Sequence, residues 1–387
     1  MKLLVITGSF FPRMSNNANL MGKIIPYLSL RHTVQLLAPA FGQREDKLPE
    51  TMFGVPIHWV TDRKASIKRK YYSIRFSSYE DGGYTGALGA KLISDVAIEI
   101  RKSFHYDAVI ATMQPYSAAY ALLDIPNVKR YIYLMDPPNY SLDIQKKPDS
   151  QKHMVDILNA QDGIFTTPFI KEALEKKQQT QIVDKILEVS FPHIQESKLI
   201  TTSQDIVMDK ERINLLFCGA LYPSVRDPSY FLQVLKRVDD RFCITFVGRN
   251  CDTFWEEAMV KTAAEVRALP PVPYQTAINA MEQADVLINI GNNMKVHMPS
   301  KTLDYINTGK PIVNFHKFSD CPTLFYTQRY PLCLNLYEKE PITEETVDSF
   351  IDFCVKTRLT RIAHSEIERI YSESTPQRIA KIISDRI

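Results

Sequence analysis

The chain has 387 residues, 45% of them apolar and 24% charged, and carries a net charge of +3 at neutral pH. That length predicts two domains of similar size, and the composition excludes disordered and fibrous classes. No apolar run reaches the ~18 residues of a membrane span, and no basic groove pattern points to nucleic acid.

The first apolar run, Leu3 to Thr7, is short and passes directly into a polar loop. It reads as the opening strand of a sheet and not as a leader. Further strands are predicted over 33–38, 57–60, 108–111, 131–135 and 163–166, with helices over 87–101 and 151–160. Such alternation argues for a parallel sheet covered by helices. Between these elements, Arg63, Lys64, Lys68, Arg69, Lys70 and Arg75 are interleaved with Tyr71 and Tyr72. The stretch 63–75 is read as a solvated face, with anionic lipid head groups or an acidic acceptor as the sharper alternative. Gly83, Gly86 and Gly89 read as a flexible helix entry.

Residues 195–212 are polar and lack strong periodicity, and they mark the domain boundary. The second half repeats the pattern, with strands over 213–218, 243–247, 266–269, 286–290 and 312–315. The expected organisation is a first domain over 1–195 and a second over 205–374. An amphipathic helix over 375–387 closes the chain. The six cysteines all lie in the second half without metal-like or redox-like spacing, so buried free thiols in a reducing cytoplasm are expected.

The segment from Pro299 to Asn314 carries the most chemical information. Ser300 stands where a side chain caps a helix N-terminus, and Gly309 with Pro311 stands where that helix must stop. A helix N-terminus facing a polar loop is an anion site. Lys301 strengthens that reading, and Asp304 one turn later can hold hydroxyls. Gly291, at the end of the preceding strand, suits close approach of backbone to a ligand.

The run from Met298 to Val313, Met-Pro-Ser-Lys-Thr-Leu-Asp-Tyr-Ile-Asn-Thr-Gly-Lys-Pro-Ile-Val, resembles the donor-site segment of GT-B glycosyltransferases, in particular glycosyltransferase family 4. The family pattern is Pro-Ser-Lys-x-x-Glu-Tyr-x-x-x-Gly-Lys-Pro, and this chain has Asp304 in place of the Glu. The resemblance implies an α/β chain of two tandem Rossmann-like, doubly wound domains, with the C-terminal helix packing back on the first. It implies transfer of a sugar from a nucleotide-sugar to a glycan or lipid-linked acceptor, retaining and without a metal or other cofactor. That is an enzyme of polysaccharide biosynthesis in the cytoplasm, to which the sharper reading of 63–75 would add a peripheral membrane contact.

The resemblance also implies site residues. Asp304 takes the place of the carboxylate that holds ribose hydroxyls. Lys301 and Arg226 are the cations for the departing diphosphate. The family's Arg directly after Gly219 is absent (Ala220), and Tyr222 fills part of that place. Val296 stands near the position of the family's first Glu, leaving backbone donors of 291–295 to contact the sugar. Asn16 and Asn17 stand in the loop that faces the donor phosphate. Asp136 stands where the family shows His-Asp and is the candidate for acceptor or sugar contact. Arg249 and the main chain of 267–269 lie where the base is expected. Two other readings stay open: a nucleotide-sugar epimerase of the same fold, and a degenerate, non-catalytic GT-B protein that binds a glycan or a partner.

Overall fold

The computed structural model of the chain describes residues 1–8, 10, 16–41, 43–61, 87–114, 116–136, 155–177, 180–196, 206–222, 224–252, 262–295 and 298–387. The basic stretch 63–75, Gly83, Gly86, residues 151–154 and Val296 lie outside the described residues. The chain divides into two compact units, Met1–Pro192 together with Glu373–Ile387, and His193–Ser372.

Among the described residues, the first unit has eight strands: β1 (Lys2–Ile6), β2 (Thr33–Pro39), β3 (Thr51–Met52), β4 (Val55–Val60), β5 (Ala108–Thr112), β6 (Lys129–Leu134), β7 (Gly163–Thr166) and β8 (Ile186–Glu188). Their order in the sheet is β3-β4-β2-β1-β5-β6-β7-β8. All neighbours run parallel except the short β3–β4 hairpin. The chain winds outward from β1 in one direction and from β5 in the other, so strand order reverses between them. Strands buried on both faces need continuous apolar runs, and Leu3 to Ile6 and Ala108 to Ala111 are wholly buried. On one face Leu4, Ile6, Val109, Ala111, Ile132 and Leu134 form a core with the Ala87–Phe104 and Tyr116–Ala121 helices.

The Asn16–Leu28 helix packs against the last helix, Pro376–Ser384. That last helix starts cleanly: the Thr375 side chain accepts from the Arg378 N–H, and Pro376 occupies the first turn. Its buried Ile379, Ala380 and Ile383 recur at helical spacing. The hydroxyls of Ser190 and Ser374, 2.7 Å apart and buried, join the two places where the chain leaves and re-enters this unit.

The second unit has six parallel strands: β9 (Ile213–Cys218), β10 (Phe242–Val247), β11 (Glu265–Leu269), β12 (Val286–Ile290), β13 (Ile312–His316) and β14 (Cys333–Tyr337). Their order is β11-β10-β9-β12-β13-β14, with the reversal between β9 and β12. Phe231, Phe242, Phe315 and Phe350 meet in tilted ring contacts at the centre of this unit's core.

The strands expected from apolar runs are present. The unexpected ones, β3, β8 and β14, lie at sheet edges or in the two-residue hairpin, where less burial leaves a weaker apolar signature. No helix among the described residues is long and apolar enough to cross a membrane.

Candidate functional site

In open parallel sheets, ligands bind at the carboxyl ends of the strands where the order reverses. In the second unit that place is the ends of β9 and β12, and the Lys301–Thr308 helix stands there. Its polar side chains tie it to surrounding elements. The Thr302 hydroxyl donates to Asn289 Oδ1 at 3.2 Å, anchoring the helix to β12. Asn289, Asn314 and Asn335 stand opposite one another on β12, β13 and β14 and hydrogen-bond in sequence, at 2.6 and 2.8 Å. The Cys218 N–H donates to the Tyr305 oxygen at 2.8 Å, fastening the helix to the end of β9. Asn307 Nδ2 donates to the Gln195 carbonyl, and the Gln195 N–H donates to Asn307 Oδ1. Gly309 ends the helix in the left-handed region, φ 75°, as its position predicts.

The expected Ser300 cap does not form. Ser300 already has helical dihedrals, φ −57° and ψ −26°, and its side chain makes no capping bond. The helical turn begins one step earlier: Thr302 N–H donates to the Pro299 carbonyl and Leu303 N–H to that of Ser300. These short-range bonds satisfy first-turn donors that a cap would otherwise take.

Asp304 is buried, with 6% side-chain exposure, and both of its oxygens are engaged. Oδ1 lies 2.7 Å from His193 Nδ1, and Oδ2 accepts from Lys301 Nζ at 2.9 Å. Lys301 Nζ also sits 5.0 Å from the centre of the Tyr274 ring. Local sequence gives no hint of His193, because its contact with Asp304 spans 111 residues.

Arg226 arrives at the same strand end from a turn in which Tyr222 and Arg226 exchange backbone bonds. Its Nε donates to Asn292 Oδ1 at 3.0 Å and its Nη1 to the Ala220 carbonyl at 3.4 Å. Among the described residues, no carboxylate lies within ion-pair distance of this guanidinium. Burial lowers its pKa, since desolvation penalises the charged form. Gly219 makes room for it: a Cβ there would stand 2.9 Å from Arg226 Nη1. Gly248, at φ 144°, packs so closely that a Cβ would meet the Gly219 carbonyl oxygen at 1.9 Å. Lys301 and Asp304 both act electrostatically on the Cys218 thiol, which burial pushes up to about 12. Arg226 and Asp304 act likewise on the Tyr305 phenol, raised by burial. Arg226 lies against Gly219 just past the end of β9, and the helix that carries Lys301 is fastened to the same strand end through Tyr305.

The remaining expected residues fall as follows. Gly291 faces the chain: a Cβ would meet the Phe315 carbonyl oxygen at 2.9 Å, so the glycine serves strand packing. The expected open backbone donors are partly committed, Gly291 N–H to the Phe315 carbonyl and Asn293 N–H to that of Val225. Arg249 is exposed, with Nη1 donating to the Tyr222 oxygen at 3.3 Å. The Leu269 carbonyl accepts from Gly248 N–H, which takes one of its two lone pairs.

In the first unit, Asn16 is exposed and Asn17 is buried, and Asn17 Nδ2 donates to Asp136 Oδ2 at 3.2 Å. This pair lies at the ends of the central strands. The hydroxyls of Thr7 and Thr112, one residue beyond the Ile6–Ala111 register pair, are buried there without hydrogen-bond partners among the described residues.

No protein-family model matches the sequence, and no curated protein does. Solved structures do. HepE of Anabaena, in complex with UDP-glucose, superposes with a TM-score of 0.61 at 13% identity, covering 100% of both chains. Sucrose-phosphate synthase from Thermosynechococcus elongatus gives 0.65 at 9% identity, covering 100% of this chain and 98% of that one. WaaG, a glycosyltransferase involved in lipopolysaccharide biosynthesis, gives 0.60 at 12% identity over 99% and 98%. At such identities the likeness establishes the fold, an α/β chain of two Rossmann-like domains of the GT-B type.

Proposed function

We propose that the chain is a nucleotide-sugar-dependent glycosyltransferase. One observation carries this reading. Arg226 is a part-buried guanidinium with no carboxylate partner among the described residues, at the strand end to which the helix starting at Lys301 is fastened. An arginine in that condition is poorly compensated until an anion arrives. A departing nucleoside diphosphate is such an anion, and its charge grows as the glycosidic bond breaks. Fixed cations aimed at it stabilise the transition state more than the ground state. Solved structures of the same fold bind UDP and UDP-glucose, which supports a diphosphate donor.

In this reading Arg226 and Lys301 supply the charge that a divalent metal supplies in other transferases. The sugar is passed with retention to a glycan or lipid-linked acceptor. Asp136, held by Asn17, contacts the acceptor or the sugar. The protein works in polysaccharide biosynthesis on the cytoplasmic side of a membrane, which the basic stretch 63–75 meets peripherally.

The test is thermal stabilisation across UDP, GDP and ADP and their sugars, with sugar release as a second readout. One nucleoside diphosphate is expected to raise the melting temperature, and Lys301→Ala to remove that rise. Equal stabilisation of Lys301→Ala and wild type would show that the donor site lies elsewhere.

A further inference from the structure

We infer that His193 is a positioning residue of the donor site, acting through Asp304 on Lys301. The inference rests on the glycosyltransferase reading and adds a residue to it. Asp304 is almost wholly buried, so its carboxylate must be compensated on both oxygens. A carboxylate only accepts, so His193 Nδ1 carries the proton in its 2.7 Å bond to Oδ1. With Oδ1 held there, Oδ2 accepts from Lys301 Nζ at 2.9 Å. The Tyr274 ring, 5.0 Å from Nζ, backs the ammonium on another side. The order of support is therefore His193, Asp304, Lys301, then anion.

The backbone makes His193 a fixed anchor. Two residues on, Gln195 exchanges two hydrogen bonds with the Asn307 side chain, one turn further along the same helix. Histidine and aspartate are also matched in size. A glutamate at 304 reaches about 1.5 Å further, into the space that the imidazole fills. Removing one member of the pair leaves the other wrongly sized, and exchanging both restores the fit.

That exchange is the experiment. Binding of UDP, GDP and ADP is measured by calorimetry on wild type, His193→Ala, Asp304→Glu, the double variant, and His193→Asn, whose amide still donates. For whichever nucleotide wild type binds, His193→Ala and Asp304→Glu are each expected to weaken affinity by about tenfold, as for a lost charge-assisted bond. The double variant is expected to recover to within about threefold of wild type, and His193→Asn to stay close to wild type. A merely structural histidine would not produce rescue by the second substitution. Additive losses in the double variant, or wild-type affinity in His193→Ala, overturn the role of His193 while leaving the donor site standing. Wild type that binds none of the three nucleotides overturns the donor-site reading, and this inference falls with it.

Discussion

Arg226 carries a cost in the empty protein, and the proposed function gives that cost a use. Its guanidinium is part-buried and, among the described residues, bonded to neutral acceptors only, Asn292 Oδ1 and the Ala220 carbonyl. Replacing such a group with an apolar side chain of similar volume removes the desolvation cost along with the charge. Arg226→Met is therefore expected to raise the unliganded stability by about 1 kcal/mol, read from urea unfolding. The same substitution should weaken nucleoside-diphosphate binding by about 100-fold, the effect of removing one partner of a buried charge pair. A variant that is destabilised and still binds normally would assign Arg226 to structure alone. Lys301, by contrast, is legible from its place at a helix start, whereas the condition of Arg226 depends on the turn from Tyr222 to Arg226 that folds it back over Gly219.

At the scale of elements, the Lys301–Thr308 helix buries Leu303, Tyr305 and Ile306 and is also tied to other parts of its unit by polar contacts. Thr302 reaches the asparagine row across β12, β13 and β14, and Tyr305 reaches the end of β9. Asn314 is the middle of that row and is wholly buried, donating to Asn335 Oδ1 and Thr327 Oγ1 while accepting from Asn289. Asn314→Ala leaves buried polar groups on both neighbouring strands without this partner, and a loss of about 2–4 kcal/mol is expected. Chemical denaturation would measure it, and a change below about 0.5 kcal/mol would mean that the row contributes little. The helix itself was readable from Gly309 and Pro311. Its N-terminus was misread at Ser300, because a backbone turn from Pro299 already satisfied the donors that a serine cap would take. The asparagine row was not readable, since strand register decides which asparagines stand opposite one another.

At the scale of the whole molecule, the chain makes two doubly wound units and completes the first with its last residues. The Pro376–Ser384 helix buries Ile379 and Ile383 completely and packs on the Asn16–Leu28 helix. Ile383→Ala should cost about 2–5 kcal/mol, the transfer and cavity terms of a core deletion. A melting temperature equal to that of wild type would show the last helix to be dispensable for the first unit.

Periodicity is a local property, so the alternation of apolar runs and helical patterns was enough to predict two parallel sheets, most of their strands and the helix that carries Lys301 and Asp304. Which side chains meet is a long-range property. The bond from His193 to Asp304 joins residues 111 apart, and that from Asn17 to Asp136 joins residues 119 apart. The desolvation of Arg226 follows from the turn and strand end around it. The sequence alone determined the fold class and the place of the helix that carries Lys301 and Asp304. Only the tertiary structure decided that Asp304 is already shared between a histidine and a lysine, because burial and pairing are set by residues that the chain brings together after it folds.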